Sequence, residues 1–369
     1  MSDGLRTLII GDLHYHLKNL GDHDLLSDNI HRAIDEICGD DSLDLIVLLG
    51  DEFEHSNPSP EVRGKFISFL RRLRKRTTYM ISLVGNHTRK NSRVSCGPDH
   101  ALADLRTPGE TGFWIVEDPM VIKLEFRGQT IEFAALPYID PPAFDEIIST
   151  YCPRLARYDP AQPLAFVLAH QEINGSQPTQ TSTSNCQANW PDHWPPMISG
   201  HLHQRHAVRN CLWVGTPMQH SLNETPEKYI YFGILTMPTS SNHSWVRNGN
   251  YSSSCGELEE IQMEDVPTRH KMRVEIEKLH TIIGKIKQNP LNYYTITVIY
   301  NNPADILKSQ TYNELRLYPR VTIITEENAS SEKIKVIPSN VSDNFQEHLK
   351  KVCANNPEIY CLLSSFGGW

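Results

Sequence analysis

Three short apolar runs, each closing on a glycine and then on polar residues, constrain this chain more than any other feature. Leu8-Ile9-Ile10 leads into Gly11-Asp12, Leu45-Ile46-Val47-Leu48-Leu49 into Gly50-Asp51, and Met80-Ile81-Ser82-Leu83-Val84 into Gly85-Asn86-His87. Runs this short and this continuous read as strands covered on both faces. Helical patterns separate them. One spans roughly Asp24 to Cys38, with Leu26, Ile30, Ala33, Ile34 and Ile37 on one face and Gly39 as C-cap. Another opens with Ser59 as N-cap and Pro60 as first helical residue, and carries Val62, Phe66, Phe69, Leu70 and Leu73 on one stripe. Strand and helix in alternation imply right-handed βαβ units and a layered α/β core, with functional residues at the carboxyl ends of the strands.

Further strands are predicted at 130–135, 164–169, 211–214 and 229–236, and residues 174–196 read as a polar loop, functional or mobile. The composition changes after Thr236. We divide the chain into a catalytic domain (1–236), a linker or insertion loop (237–261), a smaller α/β capping domain (262–330) and a tail (331–369) with a short helix at 341–354. In the capping segment the pattern predicts strands at Met272–Ile276 and Tyr294–Tyr300 around a helix near Leu279–Ile286. No long apolar run marks a membrane span, and the first residues read as a strand instead of a leader. The eight cysteines form no C-x-x-C pair, which argues against a zinc ribbon and fits a reducing cytoplasm. A net charge of −9 argues against a protein that coats nucleic acid by charge alone, and leaves a nuclease open.

The chemistry resides in separated fragments: Asp12-Leu13-His14, Gly50-Asp51, Gly85-Asn86-His87, His170, and Gly200-His201-Leu202-His203. Residues two apart, such as Asp12 and His14 or His201 and His203, can face the same side of an extended segment. Asp12, His14, Asp51, Asn86, His170, His201 and His203 together form a ligand set for two divalent ions. One carboxylate can bridge the ions while neutral imidazoles complete the shells. Two such ions about 3.5–4 Å apart activate a water and clamp a phosphate, which is what phosphodiester hydrolysis needs. Singly, each fragment has a plainer reading as a cap, a turn or a structural histidine. It is their order and joint placement that point to metal.

The series D-x-H, G-D, G-N-H, H and G-H-x-H resembles the calcineurin-like metallophosphoesterases over residues 8–235. Flanking segments are similar to the nuclease subunit of bacterial and phage SbcCD-type DNA repair complexes. They are Gly50-Asp51-Glu52-Phe53-Glu54 with Pro58-Ser59-Pro60, then Ala135-Leu136-Pro137-Tyr138-Ile139, then Val214-Gly215-Thr216-Pro217 running on to Glu224. The resemblance implies one ion on Asp12, His14, Asp51 and His203, and another on Asp51, Asn86, His170 and His201, with Asp51 bridging and manganese as the usual metal. It implies that His87 binds no ion but assists at the phosphate. It also implies a DNA exo- or endonuclease of repair or recombination, acting as a homodimer with a coiled-coil ABC-type ATPase.

Departures accompany the likeness. Thr88 stands where the family commonly has an acid, so an orienting carboxylate for His87 is missing or supplied elsewhere. Glu54 and His55 stand near a position where some relatives have a histidine; they touch the substrate strand or are ordinary surface residues. Arg89, Lys90 and Arg93 adjoin the G-N-H loop and are candidate phosphate contacts. The basic run of Arg63, Lys65, Arg71, Arg72, Arg74, Lys75 and Arg76 serves DNA or merely the helix dipole. The helix's apolar stripe serves the core or a second subunit. His16, His100, His193, His206 and His220 match no ligand position, with His16 and His206 expected nearest the site. The alternatives are a small-molecule or protein phosphoesterase on the same core, and a non-catalytic scaffold.

Overall fold

The computed structural model describes residues 4–39, 41–90, 99–105, 111–179, 182–240, 243–248 and 250–328. Strands β1 (Leu5–Ile10), β2 (Leu43–Leu48), β3 (Thr77–Leu83) and β4 (Phe113–Val116) run parallel side by side. Helix α1 (Leu20–Cys38) connects the first pair and α2 (Pro60–Arg74) the second. The next strands form a separate sheet in the order β5-β6-β7-β8-β10-β9. They are β5 (Met120–Phe126), β6 (Gln129–Leu136), β7 (Val167–Ala169), β8 (Met197–Ser199), β9 (His206–Val208) and β10 (Cys211–Trp213). Helices α3 (Phe144–Tyr151) and α4 (Pro153–Ala156) sit between β6 and β7.

Strand β11 (Tyr229–Leu235) then returns to the first sheet, antiparallel to β1. Beside it lie β14 (Gly256–Gln262), β13 (Asn250–Ser253) and β12 (Val246–Asn248), giving the order β12-β13-β14-β11-β1-β2-β3-β4. This corrects the expectation of a linker or insertion loop at 237–261. The stretch is rich in Ser and Asn, yet Trp245, Tyr251, Cys255 and Leu258 are buried between the sheets. An edge meander covered on one face needs only that sparse apolar content.

Side chains alternate along each strand, and this builds the layers. Ile9, Val47, Ile81 and Leu83 meet Phe133, Leu168, Ile198 and Leu212 of the second sheet. On the outer face of the first sheet, Leu8, Ile10, Ile46 and Met80 meet Leu26, Ile30 and Ile34 of α1 and Phe66, Phe69 and Leu73 of α2. The stripe of α2 is thus spent on the chain's own core. From the stretch after β7, Ala188, Trp190 and Trp194 lie over the outer face of the second sheet, beside Phe144 and Ile148 of α3. Helices, sheet, sheet and a helix-and-loop cover make the expected α/β sandwich.

The capping segment is a parallel βαβαβ unit with its own core. It comprises β15 (Arg269–Glu275), α5 (Leu279–Gln288), β16 (Tyr293–Tyr300), α6 (Pro303–Lys308), α7 (Gln310–Leu315) and β17 (Val321–Glu327). Asp22 of α1, only 2% exposed, accepts from Tyr293 Oη at 2.7 Å and from the Arg320 guanidinium at 2.7 Å. Arg269 donates from its backbone N to Gln219 Oε1 at 2.7 Å. The helix expected at 341–354 lies outside the described residues.

Candidate metal centre

The fragments meet at the carboxyl edge of the parallel strands. Backbone bonds knit the loops first: His14 N donates to Asp51 O at 2.9 Å and Tyr15 N to Glu52 O at 2.8 Å. Side chains then tie loop to loop. His201 N donates to both Asp12 carboxylate oxygens, at 3.0 and 3.1 Å, and His87 N donates to Asp51 Oδ1 at 2.8 Å. His14, Asp51 and His201 occupy left-handed backbone, with φ of 47°, 48° and 74°. L-residues pay roughly 1–2 kcal/mol for that region. The glycines leave room for this crowding: a Cβ on Gly85 would lie 2.1 Å from Asp51 Oδ1, and one on Gly200 2.5 Å from Asp12 Oδ1.

Three donor groups result among the described residues, of which the third, His14, Glu54 and His87, shares His14 with the first. In the first, Asp12, His14 and His203 converge, with His14 Nε2 and His203 Nε2 3.0 Å apart and lying 4.0 and 3.9 Å from Asp12 Oδ2, about twice a metal–ligand bond length. In the second, Asp51, His170 and His201 converge around Asn86. His170 Nε2 is 3.1 Å from Asp51 Oδ2 and 3.2 Å from Asn86 Oδ1, and His201 Nδ1 is 2.9 Å from Asn86 Oδ1.

Protons test whether a cation fits. His203 Nδ1 faces Glu224 Oε1 at 3.0 Å, and His14 Nδ1 lies 3.0 Å from Glu54 Oε2, although not in good hydrogen-bond alignment. Both carboxylates call for a proton on Nδ1, which leaves two Nε2 lone pairs facing each other. His170 Nδ1 donates to the carbonyl of Leu49 at 2.6 Å, so its Nε2 lone pair is aimed at two oxygens. A positive charge resolves both conflicts. Burial pulls His170 down, but Asp51, Asp12 and its hydrogen bonds hold it up at about 9. His201 behaves oppositely, lowered to about 3 by burial and by the charge of His170. A donor set of carboxylates, one amide and neutral imidazoles suits a divalent ion of intermediate hardness.

His87 is half-buried at the margin, its ring 4.8 Å from that of His14. Its Nδ1 donates to the backbone carbonyl of Glu54 at 3.0 Å. Thr88 is buried and turns its hydroxyl to Gly85 O. Glu54 therefore stands behind His14 and His87, while His55 is exposed with its ring near His16.

The remaining nominated residues scatter. Arg89 is buried with its guanidinium 5.9 Å from the Tyr138 ring, Lys90 pairs with Asp99 at 3.0 Å, and Arg93 lies outside the described residues. His206 stacks on Trp213 and takes no place at the centre. The near neighbours are instead His220, 4.9 Å from the His14 ring, and His23, whose Nε2 donates to His14 O at 3.2 Å. Tyr138, 5.3 Å from the His201 ring, borders the second group. Sequence reading passed over Glu224, Lys228, His220 and His23 as site residues. Only the position of Glu224, in the segment after the last histidine pair, hinted at a role.

The profile of the calcineurin-like phosphoesterases matches residues 5–205. A protein of Invertebrate iridescent virus 3 named "Putative phosphoesterase 078R" is 28% identical over 225 residues, covering 60% of this chain and 60% of that protein. This chain therefore spans about 60% of the length of that curated relative.

Proposed function

Because the chain belongs to the calcineurin-like phosphoesterase family, we propose that it is a divalent-metal phosphodiesterase, with manganese as the working ion and DNA as substrate. The observation that carries the metal-dependent chemistry is the pair of facing donor groups with unshared lone pairs turned inward. Asp12, His14 and His203 would hold one ion and Asn86, His170 and His201 the other, with Asp51 able to serve both. Bound there, the ions supply an activated water and neutralise charge on the phosphoryl oxygens. The buried walls fix the ligands and keep bulk water from Asp12 and Asp51. His87 is held through Nδ1 by the Glu54 carbonyl, which leaves Nε2 as the nitrogen that would serve a bound phosphodiester. In the imidazolium form it gives that proton to the leaving oxygen.

DNA as substrate rests on the likeness of the flanking segments to SbcCD-type nuclease subunits and on the extra α/β unit after the core. That likeness also brings a homodimer and an ABC-type ATPase partner into the proposal. A small-molecule diester is the second reading, favoured by the burial of Arg89 and the pairing of Lys90 with Asp99. The deciding experiment incubates purified protein with labelled linear and circular DNA, and separately with bis-p-nitrophenyl phosphate, with manganese or with EDTA. Manganese-dependent DNA cleavage is expected. Brisk hydrolysis of the small diester with intact DNA would establish the second reading; no hydrolysis of either would remove both.

A further inference from the structure

The first two donor groups differ in what stands behind their imidazoles. In the Asp51 group, His170 turns its outer nitrogen to a neutral carbonyl, that of Leu49. In the Asp12 group, both imidazoles are backed by carboxylates: His203 by Glu224 and His14 by Glu54. Glu224 is buried and held from several sides. Its Oε1 accepts from His203 Nδ1 and from Ser221 N, each at 3.0 Å. Its Oε2 accepts from Lys228 Nζ at 2.7 Å, and from Thr216 Oγ1 and His220 N at 3.2 Å each. Lys228 is itself buried and donates to Thr216 Oγ1 at 2.9 Å.

A carboxylate fixed in this way cannot swing toward the ion, because it lies on the Nδ1 side of His203. It can act only through the ring. By holding the proton on Nδ1 it commits Nε2 to the ion and makes the imidazole a stronger donor. Lys228 Nζ, 2.7 Å from Oε2, sets a positive charge beside this buried carboxylate. We infer that Glu224, locked by Lys228 and seconded by Glu54, is a positioning residue that makes Asp12–His14–His203 the tighter of two unequal ion sites. The inference rests on the two-ion reading proposed above.

The test is a manganese titration of the full chain, made initially metal-free, followed by calorimetry and by the signal of free manganese. The wild type should bind two ions in separate classes. Asn86→Ala should remove the weak class and keep the tight one. Glu224→Gln should weaken the tight class by about 10–100-fold and leave the weak class in place, with Glu224→Asp recovering part of the loss. Glu54→Gln, at a position whose side chain is 37% exposed, should weaken the same class by less. A folded Glu224→Gln protein with both ions held as in the wild type overturns the inference alone, as does equal weakening of both classes. A wild type that binds no ion overturns the two-ion reading and the inference with it.

Discussion

Asp51 is the residue on which most of the site depends. Its carboxylate takes the His87 amide on one oxygen and faces His170 on the other, while its carbonyl receives the His14 amide. Asp51→Asn should therefore reduce the bound manganese from two ions toward none, read by elemental analysis of the folded variant. His87→Ala should keep both ions and lower turnover by roughly 10²–10⁴-fold, the range of a lost general acid. Unchanged turnover would leave His87 a structural residue. His23 carries a different consequence. Burial lowers it to about 3, against 6.5 in the unfolded chain, so between those values only the unfolded state binds its proton. Stability from His23 is complete above pH 6.5 and is lost as pH falls toward 3, at up to about 1.4 kcal/mol per unit. In urea unfolding of metal-free protein between pH 6.5 and 4.5, His23→Gln should show a shallower decline than the wild type. The residues that gather in the donor groups were legible in the sequence because their fragments follow apolar runs, with a glycine before Asp12, Asp51, Asn86 and His201 and none before His170. His23, His220 and Glu224 were not, since their roles arise from contacts that no local spacing encodes.

At the scale of elements, α2 shows where reading by composition succeeds and where it stops. Ser59 accepts from Val62 N, Pro60 opens the helix, and Val62, Phe66, Phe69, Leu70 and Leu73 are buried as their spacing predicts. The basic run has a partner that the pattern of α2 alone does not reveal. Lys65 pairs with Asp24, Arg72 with Asp28 and Arg76 with Asp35, so α1 and α2 are joined by a ladder of opposite charges. Such half-exposed pairs are worth about 0–1 kcal/mol each. Replacing Arg72 and Arg76 by Gln should thus cost little stability. It should also leave the salt dependence of DNA binding unchanged, whereas a lost phosphate contact would lower the logarithmic slope by about 0.9. A flatter slope in that variant would put α2 on the DNA path. The strands β12–β14 were hidden for the complementary reason: an edge meander covered on one face carries too few apolar residues to stand out from a loop.

The described residues form two units, the sandwich with one apolar cluster between its sheets and one on each outer face, and the β15–β17 unit with its own. Each was visible as a change of pattern, but their junction was not, because it is made by single polar residues far apart in sequence. Asp22 anchors it from the first turn of α1, and Arg269 and Arg320 flank the Tyr293 ring at 4.5 and 4.7 Å. Asp22→Asn keeps an acceptor for the Tyr293 hydroxyl but leaves the Arg320 guanidinium without its counter-charge. Breaking a fully buried pair costs about 3–5 kcal/mol; Arg320 is one-quarter exposed, so about 1–3 kcal/mol of docking is the reasonable expectation. Hydrogen exchange should then quicken at the Arg269–Tyr293–Arg320 end of the capping sheet while β1–β3 keep their protection, and bound manganese should stay at two ions. Adding Arg320→Met to Asp22→Asn should cost less than the two single losses summed, because each residue then has no charge left to strand. Unchanged exchange in Asp22→Asn would mean that the unit is held chiefly through Arg269 on Gln219, and Gln219→Ala would become the variant that frees it.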